Sequence, residues 1–418
     1  MRHSFIAILA VMLMASCARS ESLPHGGSNE EAVMAISADT GARMMAGTMQ
    51  LADADTPDED DMILTENTFA EGSLLYVSQM GTTKAPNFSD TQETGKTQRY
   101  IYEYEENPDA SWDAEGTYNF YPQDKQKDPI YWDDIRSNGS VGNAFSLYAF
   151  HFPVDNEVRF NVETDQRILD NLKKSDILGA YHATSALFTR LRFRLYHLMV
   201  YLRVTLYVPV LEANADDDGY SGFEKDALRN AVVLNAATNF DVEWRANRSS
   251  DTDAPLITLD KNNAGTSMLF MYRHNPGEEP EETIDVKELY KDYYNDKNLE
   301  LGDDGIDRVR VYNFSVLFPG QTFGNSDTNF LQFQLNTPGW EEGGNVKNFY
   351  FAASQLTTGN TNFNFTQGTL QHLSLYLPRH GNETILVGAD ILPWTDASTD
   401  MTVTDQSKET GSADSNND

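Results

Sequence analysis

The stretch from Thr189 to Val208 reads TRLRFRLYHLMVYLRVTLYV, and its alternation decides the fold class. Leu191, Phe193 and Leu195 fall on one side, with Arg190, Arg192 and Arg194 between them. Beyond Leu198-Met199-Val200 the phase inverts. Leu202, Val204, Leu206 and Val208 become the apolar set, and Tyr201, Arg203, Thr205 and Tyr207 the alternate one. A strand has a side-chain period of two, so a flat strand cannot change phase without turning its apolar face to water. A bulge, bend or very short connection near His197–Val200 is therefore required. The stretch reads as two strand-like pieces closing a first domain, and the acidic run Glu212–Glu224 behind it reads as a domain boundary.

The same texture extends in both directions. Upstream, 73–79, 99–104, 117–121 and 144–152 are short, rich in aromatic and β-branched residues, and separated by Gly, Pro, Asn or Asp. Ala32, Met34 and Ile36 alternate in a first strand over Ala32–Ser37. Downstream, strands are expected at 231–234, 240–244, 256–259, 267–272, 308–317, 329–335, 347–352, 370–377 and 384–391. Helical periodicity is confined to Asp165–Asp176 and Asp285–Tyr294. Many short strands with turn signals between them predict an all-β chain of β-sandwiches.

The N-terminus is an export signal. Arg2 and His3 precede an apolar run from Phe5 to Ala15, too short for a permanent span of about 20 residues. Leu13-Met14-Ala15-Ser16-Cys17 has the form of a lipobox, in which the cysteine is acylated and becomes the mature N-terminus. The competing reading is an ordinary signal peptide with Cys17 near its cleavage point by chance. Cys17 is the only cysteine in the chain. Once it carries lipid, disulfides, thiolate nucleophiles and cysteine metal sites are excluded. Each buried lipid CH₂ contributes about 0.8 kcal/mol, so several acyl chains hold a protein firmly on a membrane.

The net charge of −33 repels phosphate backbones, which argues against nucleic acid as a partner. Acidic residues gather at Asp53–Asp61, at Glu278–Glu282 and after Trp394, and read as loops or solvated ends. The expected layout is a signal peptide (1–16), a polar tether (17–31), an N-terminal sandwich (32–210), a C-terminal sandwich (211–404) and an acidic tail (405–418).

The sequence has no Gly-rich phosphate loop, nucleophile elbow or His-Glu-x-x-His helix. Its histidines are dispersed, and His197, among apolar strand residues, reads as a hydrogen-bonded core histidine. Asn214-x-Asp216-x-Asp218-Gly219 begins like a calcium loop, but Lys225 stands where a bidentate Glu is needed, so it reads as a plain acidic loop. Trp112, Trp132 and Trp340 are the aromatics that would build a sugar platform, Trp340 foremost. No catalytic residue, cofactor or metal is expected, and the chain is not expected to be an enzyme.

Several segments together resemble the fimbrillin family, subunits of the type V pili of anaerobic Gram-negative bacteria. These are Asp176-Ile177-Leu178-Gly179-Ala180, then Leu191/Phe193, His197, Leu198-Met199 and Leu202/Val204/Leu206. Val200-Tyr201 departs from the family pattern, which has small and basic residues there. Upstream, Ile130-Tyr131-Trp132, Phe145–Phe150 and Pro153 resemble earlier landmarks. Phe318–Thr322, Phe365–Gly368 and Ile391–Trp394 resemble later ones, in the right order.

The resemblance implies two tandem transthyretin-like β-sandwich domains and a lipid-anchored, surface-exposed protein of the outer membrane and fimbrium. It also implies assembly with other fimbrillin subunits by strand exchange. In such subunits a protease cuts after Arg or Lys, removes the first strand, and a neighbour's strand replaces it by β-augmentation. Arg43, just beyond the first strand, is the candidate processing site, and Arg19 a weaker one. After Trp394 only Met401 and Val403 are spaced to fill alternate pockets, which points towards a tip, accessory or anchor-type subunit rather than a stalk. Adhesion to a host or bacterial surface ligand is the implied role. The alternative is a non-polymerising outer-membrane lipoprotein that binds glycans or a host ligand.

Overall fold

The computed structural model describes residues 35–40, 69, 71–79, 97–105, 117–123, 145–153, 156–184, 190–211, 222–243, 252–259, 267–285, 306–323, 329–337, 345–356, 363–378 and 384–393. Most of these residues lie in strands, as the alternation requires.

The first sheet contains β1 (Ala35–Thr40), β2 (Leu74–Gln79), β3 (Thr97–Glu105), β4 (Thr117–Pro122), β5 (Phe145–His151), β6 (Leu178–Thr184) and β7 (Arg190–His197). Its order is β6-β5-β2-β3-β4-β1-β7, and β7 pairs back onto β6, so these strands close into a ring. The closure is short, with Leu178 opposite His197 and Gly179 opposite Tyr196. Gly179 is needed there, because a Cβ would lie 3.0 Å from both Leu198 and Pro255 and 3.1 Å from Phe150. Inside the ring, Leu75, Val77, Tyr100, Phe120, Leu147, Ala149, Leu178, Ala180, Phe193 and Leu195 form a separate core.

The phase change falls where the sequence demands it. β7 ends at His197, Leu198 is outside any strand, and β8 (Met199–Pro209) begins at once. Phe193 and Leu195 are buried before the break; Leu202, Val204, Leu206 and Val208 are buried after it. Both pieces were expected to close one domain, but they serve different sheets. β8 lies between β16 (Ile306–Pro319), antiparallel, and β21 (Thr369–Tyr376), parallel. The sheet is completed by β14 (Tyr272–Arg273), β15 (Glu281–Asp285) and β22 (Ile385–Pro393). Alternation specifies which face of a strand is buried, not which neighbour it finds.

A four-stranded sheet of β13 (Ser267–Phe270), β9 (Leu228–Ala236), β18 (Asn329–Asn336) and β19 (Val346–Ala352) packs on the β8 sheet. Their inward residues, including Leu202, Val204, Val316 and Leu373 from one and Val233, Phe333 and Phe349 from the other, share one core. That is sandwich packing. Tyr148, Phe150 and Tyr181 on the other side of the ring join the same core. Two short pairs complete the fold: β10 (Phe240–Val242) with β12 (Ile257–Leu259), and β17 (Gln321–Thr322) with β20 (Asn364–Phe365). β11 (Thr252–Asp253) pairs with β6.

Three glutamines bond to backbone much as a paired strand would. Gln166 Nε2 donates to the Leu317 carbonyl at 2.8 Å, and Gln166 Oε1 accepts the Leu317 N–H at 2.9 Å. Gln321 holds both backbone groups of Ala237. Gln367 accepts the Ile257 N–H and donates to the Pro255 carbonyl. Each fills a position where a backbone ladder would otherwise leave buried groups unpaired.

Two local expectations are corrected. The helix expected over 165–176 is only α1 (Leu169–Lys174), because Asp165 bridges to Phe270 and the Gln166 N–H donates to the Phe270 carbonyl. The acidic loop expected at Glu278–Glu282 instead runs into β15. There Glu281 lies 3.1 Å from Arg308 and 3.3 Å from Arg310 of β16, and cross-strand opposite charge makes an acidic strand tolerable. Residues 286–294, the second expected helix, lie outside the described residues.

Candidate functional site: the slot occupied by the first strand

The ring contains one strand drawn from far away in sequence. β1 sits between β4 and β7, running antiparallel to the first and parallel to the second. Its described residues are Ala35–Thr40, overlapping the strand expected over Ala32–Ser37; residues 32–34 lie outside the described residues. On the β7 side the register runs from Ala35 opposite Arg190 to Thr40 opposite Leu195. On the β4 side Ile36 stands opposite Phe120.

Directly paired residues share a face of a sheet. Ile36, Ala38 and Thr40 therefore occupy the same set of positions as Phe120, Phe193 and Leu195. Those three neighbours are at most 2% exposed and belong to the ring core. Phe120 also packs edge-on against Phe69, at 4.8 Å between ring centroids. The alternate set places Ser37 opposite Arg192 and Asp39 opposite Arg194.

Where the ring closes beside this slot, titratable side chains cluster. His151 of β5 and His197 of β7 both face Leu178 of β6 in register. His197 Nδ1 is 2.7 Å from Asp176 Oδ1, and both side chains are under a tenth exposed. This is the hydrogen-bonded core histidine that the sequence indicated. His151 Nδ1 donates to the Leu74 carbonyl at 3.0 Å. Burial holds the His151 imidazole below its ordinary pKa, against the opposing pull of the Leu74 bond and the Asp176 charge. The Leu198 N–H donates to the Ile177 carbonyl, fixing the corner where the chain leaves the ring. The sequence carried no signal for a partner to His197, because Asp176 is remote from it in the chain.

A serine–histidine contact exists elsewhere. His274 Nε2 is 2.6 Å from Ser315 Oγ, which is 3.0 Å from the Tyr201 hydroxyl. Ser315 has no exposed surface, so no substrate carbonyl reaches its oxygen. Its environment is that of a core hydrogen-bond chain across β16 and β8. Among the described residues, no group of three or more His, Cys, Asp or Glu is placed to hold a metal ion, and no helix is long and apolar enough to cross a membrane. Cys17, Arg19, Arg43, Asn214, Asp216, Asp218, Trp112, Trp132 and Trp340 lie outside the described residues.

No protein-family model matches the chain, and no curated protein matches it. Solved structures do. A candidate cell adhesion protein from Bacteroides uniformis is 11% identical, covering 88% of this chain and 100% of its own, with a TM-score of 0.40. One from Bacteroides ovatus is 8% identical, covering 87% and 98%, at 0.41. The tip fimbrial protein Mfa3 from Porphyromonas gingivalis is 9% identical, covering 78% and 95%, at 0.32. At these scores the likeness carries no assignment of activity; what it records is that this all-β chain is similar to solved fimbrial and cell-adhesion proteins.

Proposed function

We propose that the chain is a structural subunit of a cell-surface fimbrium, exported as a lipoprotein through Cys17 and assembled by strand exchange. The supporting observation is the place of β1. It is an N-terminal strand inserted between β4 and β7, and its loss opens the ring. The opened edges of β4 and β7 present unpaired N–H and C=O groups beside the apolar residues Phe120, Phe193 and Leu195. Such a gap accepts an extended segment by main-chain hydrogen bonds, with side-chain pockets setting specificity. Cleavage after Arg43 frees β1, and a strand of another subunit replaces it. The work of this protein is adhesion and assembly, not catalysis. In this reading the chain has two β-sandwich domains of the transthyretin-like type, 32–210 and 211–404.

The decisive experiment examines the protein on the surface of the producing bacterium. The expected mature form carries lipid on Cys17 before processing, begins at Met44 after it, and runs in high-mass assemblies on native gels. A surface protein that retains residues 17–43, stays monomeric and binds saccharides would refute the subunit reading in favour of a glycan-binding lipoprotein.

A further inference from the structure

The four-stranded sheet turns Val233, Phe333 and Phe349 to the core, and its register sets the alternate residues on the other face. There Phe270 of β13, Val232 of β9, Gln332 of β18 and Tyr350 of β19 stand in one row across all four strands. Strands lie about 4.8 Å apart, so this row measures roughly 14 Å. Asp165 extends it through its bridge to Phe270. A second row, two residues along, is Asn230, Gln334 and Asn348.

Amides link the side chains of each row. Asn230 Nδ2 donates to Gln334 Oε1 at 3.0 Å, and Gln334 Nε2 to Asn348 Oδ1 at 3.3 Å. Gln332 Nε2 donates to the Tyr350 hydroxyl at 3.3 Å. These bonds use only part of what the groups offer. Asn348 keeps both N–H groups, Asn230 and Gln332 keep their carbonyl oxygens, and Tyr350 keeps its hydroxyl hydrogen. All five side chains are half-buried. At the far end the Arg167 guanidinium lies over Phe270, 4.5 Å from the ring centre, and pairs with Asp165 at 2.6 Å. The one carboxylate in the two rows is thereby neutralised, in a chain of net charge −33.

These properties select a ligand by its chemistry. β9 and β18 are bonded to strands on both sides, so the middle of this face has no edge for an extended peptide to pair with. An apolar protein surface would bury the remaining amide groups at the full cost of their desolvation. A polyion finds no opposing charge to neutralise. A neutral saccharide fits each condition. Its hydroxyls both donate and accept, as the amides do, and its C–H faces pack on an aromatic ring.

We propose that this face binds a neutral oligosaccharide lying across β9, β18 and β19, with Asn230, Gln332, Gln334 and Asn348 bonding its hydroxyls and Tyr350 packing against a sugar ring. The proposal rests on the adhesion part of the reading above, to which it adds a surface and a ligand class; it does not depend on strand exchange.

The test uses the full-length chain with Cys17→Ser, titrated calorimetrically with cellohexaose, maltohexaose, mannohexaose, xylohexaose and chitohexaose, and with hexagalacturonate as the anionic comparator. At least one neutral hexasaccharide is expected to bind, at least about tenfold more tightly than hexagalacturonate. Gln334→Leu and Tyr350→Ala should each weaken that binding at least about tenfold. Gln334→Glu keeps the side-chain shape but removes the donor to Asn348, and should weaken it similarly even if Gln334→Leu disturbs the sheet. The inference is overturned if no neutral hexasaccharide binds, if hexagalacturonate binds equally well, or if binding survives all three variants. It is also overturned by a concentration-dependent dimer that Tyr350→Ala dissolves, which would assign the face to a second copy. None of these results alters the mature N-terminus or the native-gel assemblies, on which the subunit reading stands or falls separately.

Discussion

Gln166 offers a quantitative check on how the connection from the ring is secured to the β8 sheet. Its side chain has no exposed surface. It makes three hydrogen bonds: to the Leu317 carbonyl at 2.8 Å, from the Leu317 N–H at 2.9 Å and to the Glu163 carbonyl at 2.9 Å. β14 pairs with Phe314 and Ser315, and the amide of Gln166 takes over at Leu317. In Gln166→Leu these backbone groups lose their partner. Each orphaned buried group costs about 1–3 kcal/mol, so after some recovery from the added apolar surface the variant should lose about 3–5 kcal/mol. Gln166→Glu keeps the shape but replaces the donor with a carboxylate facing two carbonyls. The folded-state pKa of that carboxyl must rise above its unfolded value of about 4.3. Protonation restores a donor, so the deficit against the parent should be smallest near pH 4 and widen as pH rises towards 7. Urea unfolding followed by circular dichroism at several pH values measures both. A Gln166→Leu loss under about 1 kcal/mol, or a pH-independent Gln166→Glu deficit, would refute the account of the clamp.

Two further outcomes are expected. His151 is buried with its pKa lowered by desolvation, so the unfolded chain binds the proton more readily. The corresponding stability is complete above the unfolded value of about 6.5 and declines as pH falls below it. His151→Gln keeps a donor for the Leu74 carbonyl and should flatten that decline, whereas an unchanged pH profile would show that His151 contributes nothing to it. Gly222 has φ +117°, and a Cβ there would lie 2.3 Å from the Val210 carbonyl oxygen. Gly222→Ala should cost about 2–4 kcal/mol in urea unfolding, and a loss below about 1 kcal/mol would show that the Val210–Phe223 bridge readily adjusts.

Much of the strand inventory was legible because period-two patterning reports burial directly. The inversion located the corner between sheets to the stretch His197–Val200, and it falls at Leu198. What alternation could not report was pairing. β8 was read with β7 because the two are contiguous, yet its neighbours are β16 and β21, more than a hundred residues away. β15 was missed because a Glu-rich strand looks like a solvated loop until Arg308 and Arg310 are seen across from it. The glutamine clamps had no sequence signal, since a buried Gln has the same letter as an exposed one. At the candidate site, the presence of a first strand and its alternating character were readable. Its parallel pairing with β7 required the register.

The corner at Leu198 also has a mechanical meaning. It joins the ring to β8, and β8 is held along its length by rungs to β16 from Met199 to Pro209 and to β21 from Tyr201 to Tyr207. A pull transmitted along the chain from the ring enters β8 at its end and runs along the strand axis. The rungs lie across that axis, so they share the tension simultaneously and must shear together; they cannot open one after another. A chain threaded this way resists a pull along its length through the geometry of one central strand.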